Sequence, residues 1–281
     1  MFALEELQQC LMKLPKQPEL VVMHAFLKWS VTKMAEGYKL MWQAHEIDPQ
    51  EPMVLLFVQL VQPRIASLYK DTQYMLIDGK VEKCNINIRK GLELDPHNTN
   101  LLIVKAYLHR TKEEYEQALC DLELANKTLK DPSLEVELRN QIALTYNEMG
   151  TFLYNKKKYT EAIALFNEGI AFKPSDWGMR ANRGDCWKAL NDLTKALEDY
   201  VGAHTISGDN EDVNFRLGSV FNSRGITFFN NRNPRQAVLE FTEALKYCKR
   251  CATFYVNRGK CLLELQKFPE AVSDFEAAAK H

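Results

Sequence analysis

Neither sign of charge dominates this chain: 36 Lys and Arg stand against 37 Asp and Glu, a formal net charge of −1. Such a surface has no global field to recruit nucleic acid or an anionic membrane, so neither is an expected partner. Long apolar runs are also missing. The longest, Met53 to Val58, is six residues, against the roughly 20 needed to span a bilayer. The N-terminus carries Glu5 and Glu6 and no extended apolar stretch, which argues against a signal peptide. The seven cysteines are odd in number and scattered, as thiols are when they serve as small apolar side chains in a reducing compartment. The cytoplasm is the expected location.

Catalytic signatures are absent too. The chain contains no H-E-x-x-H, G-x-S-x-G, G-x-x-x-x-G-K-[ST] or G-x-G-x-x-G. Cys248-Lys249-Arg250-Cys251 has a metal-like or redox-like spacing, but no second Cys or His pair completes a zinc site. The carboxylates Asp185, Asp192, Glu198, Asp199 and Glu264 recur at helical spacing and are expected to face solvent, paired with Lys and Arg. Acid–base catalysis would need two of them to converge in one pocket. No metal, cofactor or catalytic residue is therefore expected, and the chain reads as a non-enzyme.

What is present is a spacing. Four times a Gly is followed by Ala at +12, an aromatic at +16 and a small residue at +19: Gly150, Ala162, Phe166, Gly169; Gly184, Ala196, Tyr200, Ala203; Gly225, Ala237, Phe241, Ala244; Gly259, Ala271, Phe275, Ala278. Ala106, Ala118, Leu122 and Ala125 fill the same slots over 99–130, and Thr72 and Cys84 stand in the first two slots further upstream. Two of the steps are 34 residues, Gly150 to Gly184 and Gly225 to Gly259. Two are longer, Ala106 to Gly150 and Gly184 to Gly225, with the extra residues near 126–140 and 207–216. Mixed apolar and charged residues there predict lengthened helices rather than slack loops. Asp-Pro at Pro49 and Pro96, and Pro174, mark breaks between units.

These residues resemble the tetratricopeptide repeat, whose 34-residue pattern places W-x2-L-G-x2-Y, A-x3-F and P in this order. The resemblance implies an all-α, right-handed α-solenoid of helix-turn-helix repeats. The small residues let the two helices of a hairpin nest, and the aromatic fills space toward the next hairpin. The expected organisation is an N-terminal helix over 1–17, with Leu4, Leu7, Leu11 and Leu14 as its apolar stripe. Degenerate repeats follow over 18–98 (18–51 and 65–98), then well-formed ones over 99–281, continuous with them.

The resemblance also implies a function. First helices line a concave groove, and the residue two before each Gly points into it: Glu148, Asn182, Ser223 and Asn257. With Asn147, Asn155, Asn222, Asn230, Lys188 and Lys260 these are the candidate partner-binding residues. An asparagine row can hold the backbone amides of an extended peptide or helix from another protein. Chaperone adaptors of this family hold a C-terminal carboxylate with groove cations, but the matching positions here are Asn147, Thr151, Asn182, Ser219 and Ser223. A clamp of that type is not expected. The expected role is a protein–protein interaction scaffold. The alternatives are a structural component of a cytoskeletal or ciliary assembly, or a regulatory subunit of an enzyme on another chain. The last repeat lacks a polar capping helix, so self-association through it is a further expectation.

Overall fold

The computed structural model describes residues 2–30 and 33–281, with residues 2–5 and 8 described by their backbone alone. Among the described residues there are fifteen α-helices and no strand. They are α1 (Phe2–Lys13), α2 (Pro18–Ser30), α3 (Met34–Ile47), α4 (Pro52–Ile77), α5 (Val81–Leu94), α6 (Thr99–Arg110), α7 (Tyr115–Lys127) and α8 (Glu135–Asn155). The rest are α9 (Tyr159–Phe172), α10 (Trp177–Ala189), α11 (Leu193–Ser207), α12 (Glu211–Asn230), α13 (Pro234–Tyr247), α14 (Ala252–Glu264) and α15 (Phe268–Ala279). From α2 onward, even-numbered helices open a hairpin and odd-numbered helices close it. The chain forms two compact units, residues 1–141 and 142–281, whose boundary falls inside α8. Leu7 of α1 is buried, and Leu14, just past its end, is exposed; the side chain of Leu4 lies outside the described residues.

The turn inside each hairpin from α4 onward is dictated by one backbone position. Gly79, Glu113, Lys157, Asn191, Arg232 and Gln266 all have φ between 55° and 69°, and each lies seven residues after the small slot. There the helix ends in the same pair of bonds. Asn191 N–H donates to Lys188 O at 3.0 Å and Asp192 N–H to Trp187 O at 2.9 Å, and the other five turns repeat this. A left-handed residue closing a helix with a nested pair of backbone bonds satisfies carbonyls that would otherwise be left without partners. Only at Gly79 is the residue the one that adopts this conformation freely.

Packing within a hairpin follows from the small slot. A Cβ built on Gly150, Gly184, Gly225 or Gly259 would lie 2.7, 2.7, 2.6 or 3.0 Å from the ring of Phe166, Tyr200, Phe241 or Phe275. The aromatic thus rests on the glycine of its own repeat. Phe166 and Phe241 also pack with Cys186 and Cys261 of the following first helix, as the sequence pattern expects. Burial pushes the Cys186 and Cys261 thiols up to about 12 and 11, which keeps them as neutral, apolar fillers. In residues 1–141 the frame reads Ala25, Gly37, Met41, Ala44, then Thr72, Cys84, Ile88, Gly91, then Ala106, Ala118, Leu122, Ala125, all buried. Where the first slot carries a Cβ, the +16 slot holds an aliphatic side chain instead of a ring.

First helices alternate in length. α2, α6, α10 and α14 are 13, 12, 13 and 13 residues, whereas α4, α8 and α12 are 26, 21 and 20. The extra turns precede the repeat frame, so the second degenerate repeat opens at Pro52 and its first helix continues through Pro63. α4 is long and apolar enough to cross a membrane by length and composition. The six-residue run misses this because uncharged Gln59 and Gln62 interrupt the sequence without making the helix polar. Val54, Phe57, Val61 and Ile65 face the core of their unit, while Met53, Leu56 and Leu60 are exposed.

Candidate ligand-binding groove

The candidate residues sit on four first helices: Asn147, Glu148 and Asn155 on α8, Asn182 on α10, Asn222 and Ser223 on α12, Asn257 and Lys260 on α14. The geometry joins some of them and separates others. Asn182 Nδ2 donates to Asn147 Oδ1 at 2.9 Å, and Asn257 Nδ2 donates to Asn222 Oδ1 at 2.8 Å. Both bonds span 35 residues and link the position two before one glycine to the position three before the previous glycine. Each pair is half-buried. Asn147 and Asn222 keep a free Nδ2 donor, and Asn182 and Asn257 a free Oδ1 acceptor, because an amide carries both functions.

A continuous row does not form. Ser223 Oγ donates to Ser219 O of its own helix at 2.9 Å, the usual back-bonding of a hydroxyl within a helix. Ala181 occupies the place where Ser223 would need a partner. Asn155 and Lys260 are exposed beyond the asparagine pairs, and Glu148 is half-buried beside Asn147. Between α10 and α12, where the step is longer, ionic bonds replace the amide pair. Arg216 Nε donates to Asp185 Oδ2 at 3.1 Å and its Nη1 to Asp212, while Lys188 Nζ donates to Ser219 Oγ at 2.6 Å. Tyr200, the single hydroxylated ring in the aromatic slot, donates to Asp185 Oδ1 at 2.5 Å. Burial, then the Asp185 charge, pushes this phenol well above its ordinary range. Burial lowers the Lys188 ammonium, opposed by Asp185.

The carboxylates need a correction. Asp199 is buried rather than solvent-facing, and it receives Arg183 Nε at 2.9 Å and Nη2 at 2.5 Å. Arg258 makes the same two-pronged contact with buried Asp274, at 2.8 and 2.7 Å. Arg224 reaches Glu240 at 3.1 Å, and Lys105 reaches Asp121 at 2.6 Å. All four pairs join the residue before the small slot to the residue before the +16 slot, across the two helices of a hairpin. Sequence reasoning missed them, although a cation and an acid recurring 16 residues apart in the repeat frame would have shown them. These pairs hold helices together and are no acid–base machinery. Cys248 and Cys251 are half-buried at the α13–α14 junction, where burial and the neighbouring Cys248 raise the Cys251 thiol. No group of three or more metal-capable side chains occurs among the described residues.

Residues 143–176 and 222–281 match models of the tetratricopeptide repeat. Those two segments are tetratricopeptide repeats. The chain is 27% identical to mouse tetratricopeptide repeat protein 16 over 222 residues, which cover 78% of this chain and 29% of that one. It is 25% identical over 192 residues to soybean Hsp70-Hsp90 organizing protein 1, covering 66% of this chain and 30% of the relative. It spans less than a third of the length of these curated relatives. Among solved structures, YrrB, described as a tetratricopeptide repeat protein with an unusual peptide-binding site, aligns with a TM-score of 0.42 at 14% identity, over 81% of this chain and 97% of that one. Arrays of this kind are scaffolds for protein–protein interaction.

Proposed function

We propose that the first-helix face of residues 142–281 captures an extended segment of a partner protein through the paired asparagines. The observation that carries this reading is the asymmetry of each pair. Asn147 with Asn182, and Asn222 with Asn257, satisfy one amide nitrogen and one amide oxygen between themselves and leave one of each without a partner. A peptide backbone presents the complementary N–H and C=O at every residue, so such pairs bind main chain without demanding a side-chain sequence. The bond within a pair also fixes both rotamers before the peptide arrives, which lowers the ordering cost of binding.

Two cations of this face are already engaged, which favours a backbone ligand over a free carboxylate. Lys188 and Arg216 are engaged with Ser219, Asp185 and Asp212, and the clamp positions hold Asn147, Thr151, Asn182, Ser219 and Ser223. The role suggested by the name of the soybean relative, organizing Hsp70 and Hsp90, therefore does not carry over through a carboxylate clamp. The test is partner recovery, with partners identified by proximity labelling in cells and then assayed in pull-downs. Asn182→Ala with Asn257→Ala is expected to lower recovery at least tenfold at unchanged helicity. Full recovery by the folded double variant would refute the groove. Titration calorimetry with a free acidic C-terminal peptide is expected to show no micromolar binding.

A further inference from the structure

A cavity of about 770 Å³ in residues 142–281 lies away from the asparagine pairs. It opens where the extra turns of α12 project past the end of α13, and these turns (Glu211, Asn214, Phe215) supply one wall. The α13–α14 junction supplies another through Tyr247, Lys249 and Arg250, and His204 of α11 lies at the back. The back wall is rigid. Tyr247 stacks on Phe221 with centroids 5.8 Å apart and planes at 7°, and His204 meets Tyr247 edge-on at 5.8 Å.

Three features of this cavity have no structural use. His204 Nδ1 and Asn214 Oδ1 are buried without a hydrogen-bond partner, although Asn214 Nδ2 is fixed on Asp209 at 2.6 Å. Buried polar atoms are nearly always satisfied, so two around one cavity mark it as built for more than packing. Phe215 is 54% exposed at the rim, an apolar platform that its own fold leaves uncovered. Lys249 and Arg250 are exposed, and neither takes part in an ion pair among the described residues, whereas Lys246 beside them is held by Glu243 at 2.6 Å.

We infer that this cavity is a second peptide site, distinct from the asparagine face, which takes a partner segment carrying an acidic residue next to an apolar one. Lys249 and Arg250 receive the carboxylate, and Phe215 covers the apolar side chain. Asp209 and Glu211 on the opposite wall repel a basic segment and so set the polarity of the choice. The seven-residue lengthening of the step to Gly225 thereby acquires a use, since without those turns the cavity loses Asn214 and Phe215.

The probe is a pool of acetylated, amidated hexapeptides, each holding one Asp or Glu and one Leu or Phe within three positions. A control pool has Lys in place of the acid. Saturation-transfer NMR on the whole protein is expected to report binding of the acidic pool at least tenfold stronger than the control. The Asn214 side-chain amide is expected to shift in the protein spectrum. Lys249→Glu with Arg250→Glu, and separately Phe215→Ser, are expected to weaken it at least tenfold; all three positions are exposed, so the fold is kept. Asn182→Ala with Asn257→Ala is expected to leave it within twofold, which separates this site from the asparagine face. Equal binding of both pools, no binding of the acidic pool, or unchanged binding by the Lys249/Arg250 and Phe215 variants would each overturn the inference.

Discussion

In residues 142–281 every first slot is a glycine lying under an aromatic ring, whereas in residues 1–141 it is Ala or Thr under Met, Ile or Leu. Both versions fill the same space between paired helices, one with a flat ring on bare backbone and the other with a methyl group against a flexible chain. The difference teaches that the repeat is defined by the summed volume of two slots rather than by the identity of either. The ring version tolerates less change, because a rigid ring within 3.0 Å of a new Cβ has no small displacement that relieves the clash.

The ring version is therefore where the largest effect is expected. Gly225→Leu should destabilise by about 3 kcal/mol or more through overpacking against Phe241, read as a lowered midpoint in denaturant unfolding. Ala106→Gly, its counterpart under Leu122, should cost only about 1 kcal/mol through chain entropy. The ion pairs offer the next comparison. Asp199→Asn strips the charge from a two-pronged Arg183 contact and should cost about 2 kcal/mol. Asp121→Asn weakens a one-pronged contact to the more exposed Lys105, with His109 Nε2 3.5 Å from the other carboxylate oxygen, and the same unfolding assay should show less than about 1 kcal/mol.

Acid should separate the units further. Burial, reinforced by Lys28 and opposed by Glu36, lowers His24. Burial and Lys130 lower His45, opposed by Glu46 and Asp95. A base whose folded pKa lies below its ordinary 6.5 is protonated more readily when unfolded, so this contribution is present above pH 6.5 and lost as pH falls below it. Hydrogen exchange, corrected for intrinsic rates, should show α2 and α3 losing protection between pH 7.5 and 5.5 more than residues 142–281. Substituting His24 and His45 by Gln should flatten that response. The smallest effect is expected at the turns. Lys157→Gly relieves a side chain held at φ 61° and should raise stability by up to about 1 kcal/mol.

Much of the architecture is legible in particular residues. The spacing from Gly150 to Ala278 defines the hairpins because a buried slot leaves a chemical trace: only small residues fit. The degenerate repeats were harder, because Thr72 under Ile88 is as well packed as Gly184 under Tyr200 but matches no residue pattern. The alternation of long and short first helices stayed hidden because extra turns outside the frame obey no slot. Asn182 and Asn257 could be placed on a first helix from their distance to Gly184 and Gly259. Their bonds to Asn147 and Asn222 could not, since those depend on the rise between neighbouring hairpins. Asp199 was misread as solvent-facing because a carboxylate gives no sign of burial until its guanidinium partner is identified.

A double-mutant cycle tests the volume account most directly. Gly150→Ala and Phe166→Leu are each expected to destabilise by about 1–3 kcal/mol. Together they recreate the Ala106–Leu122 arrangement, so the double variant should be at least about 1 kcal/mol more stable than the two single losses added. Losses that simply add, within about 0.3 kcal/mol, would show that the two slots do not share one space and would contradict the account.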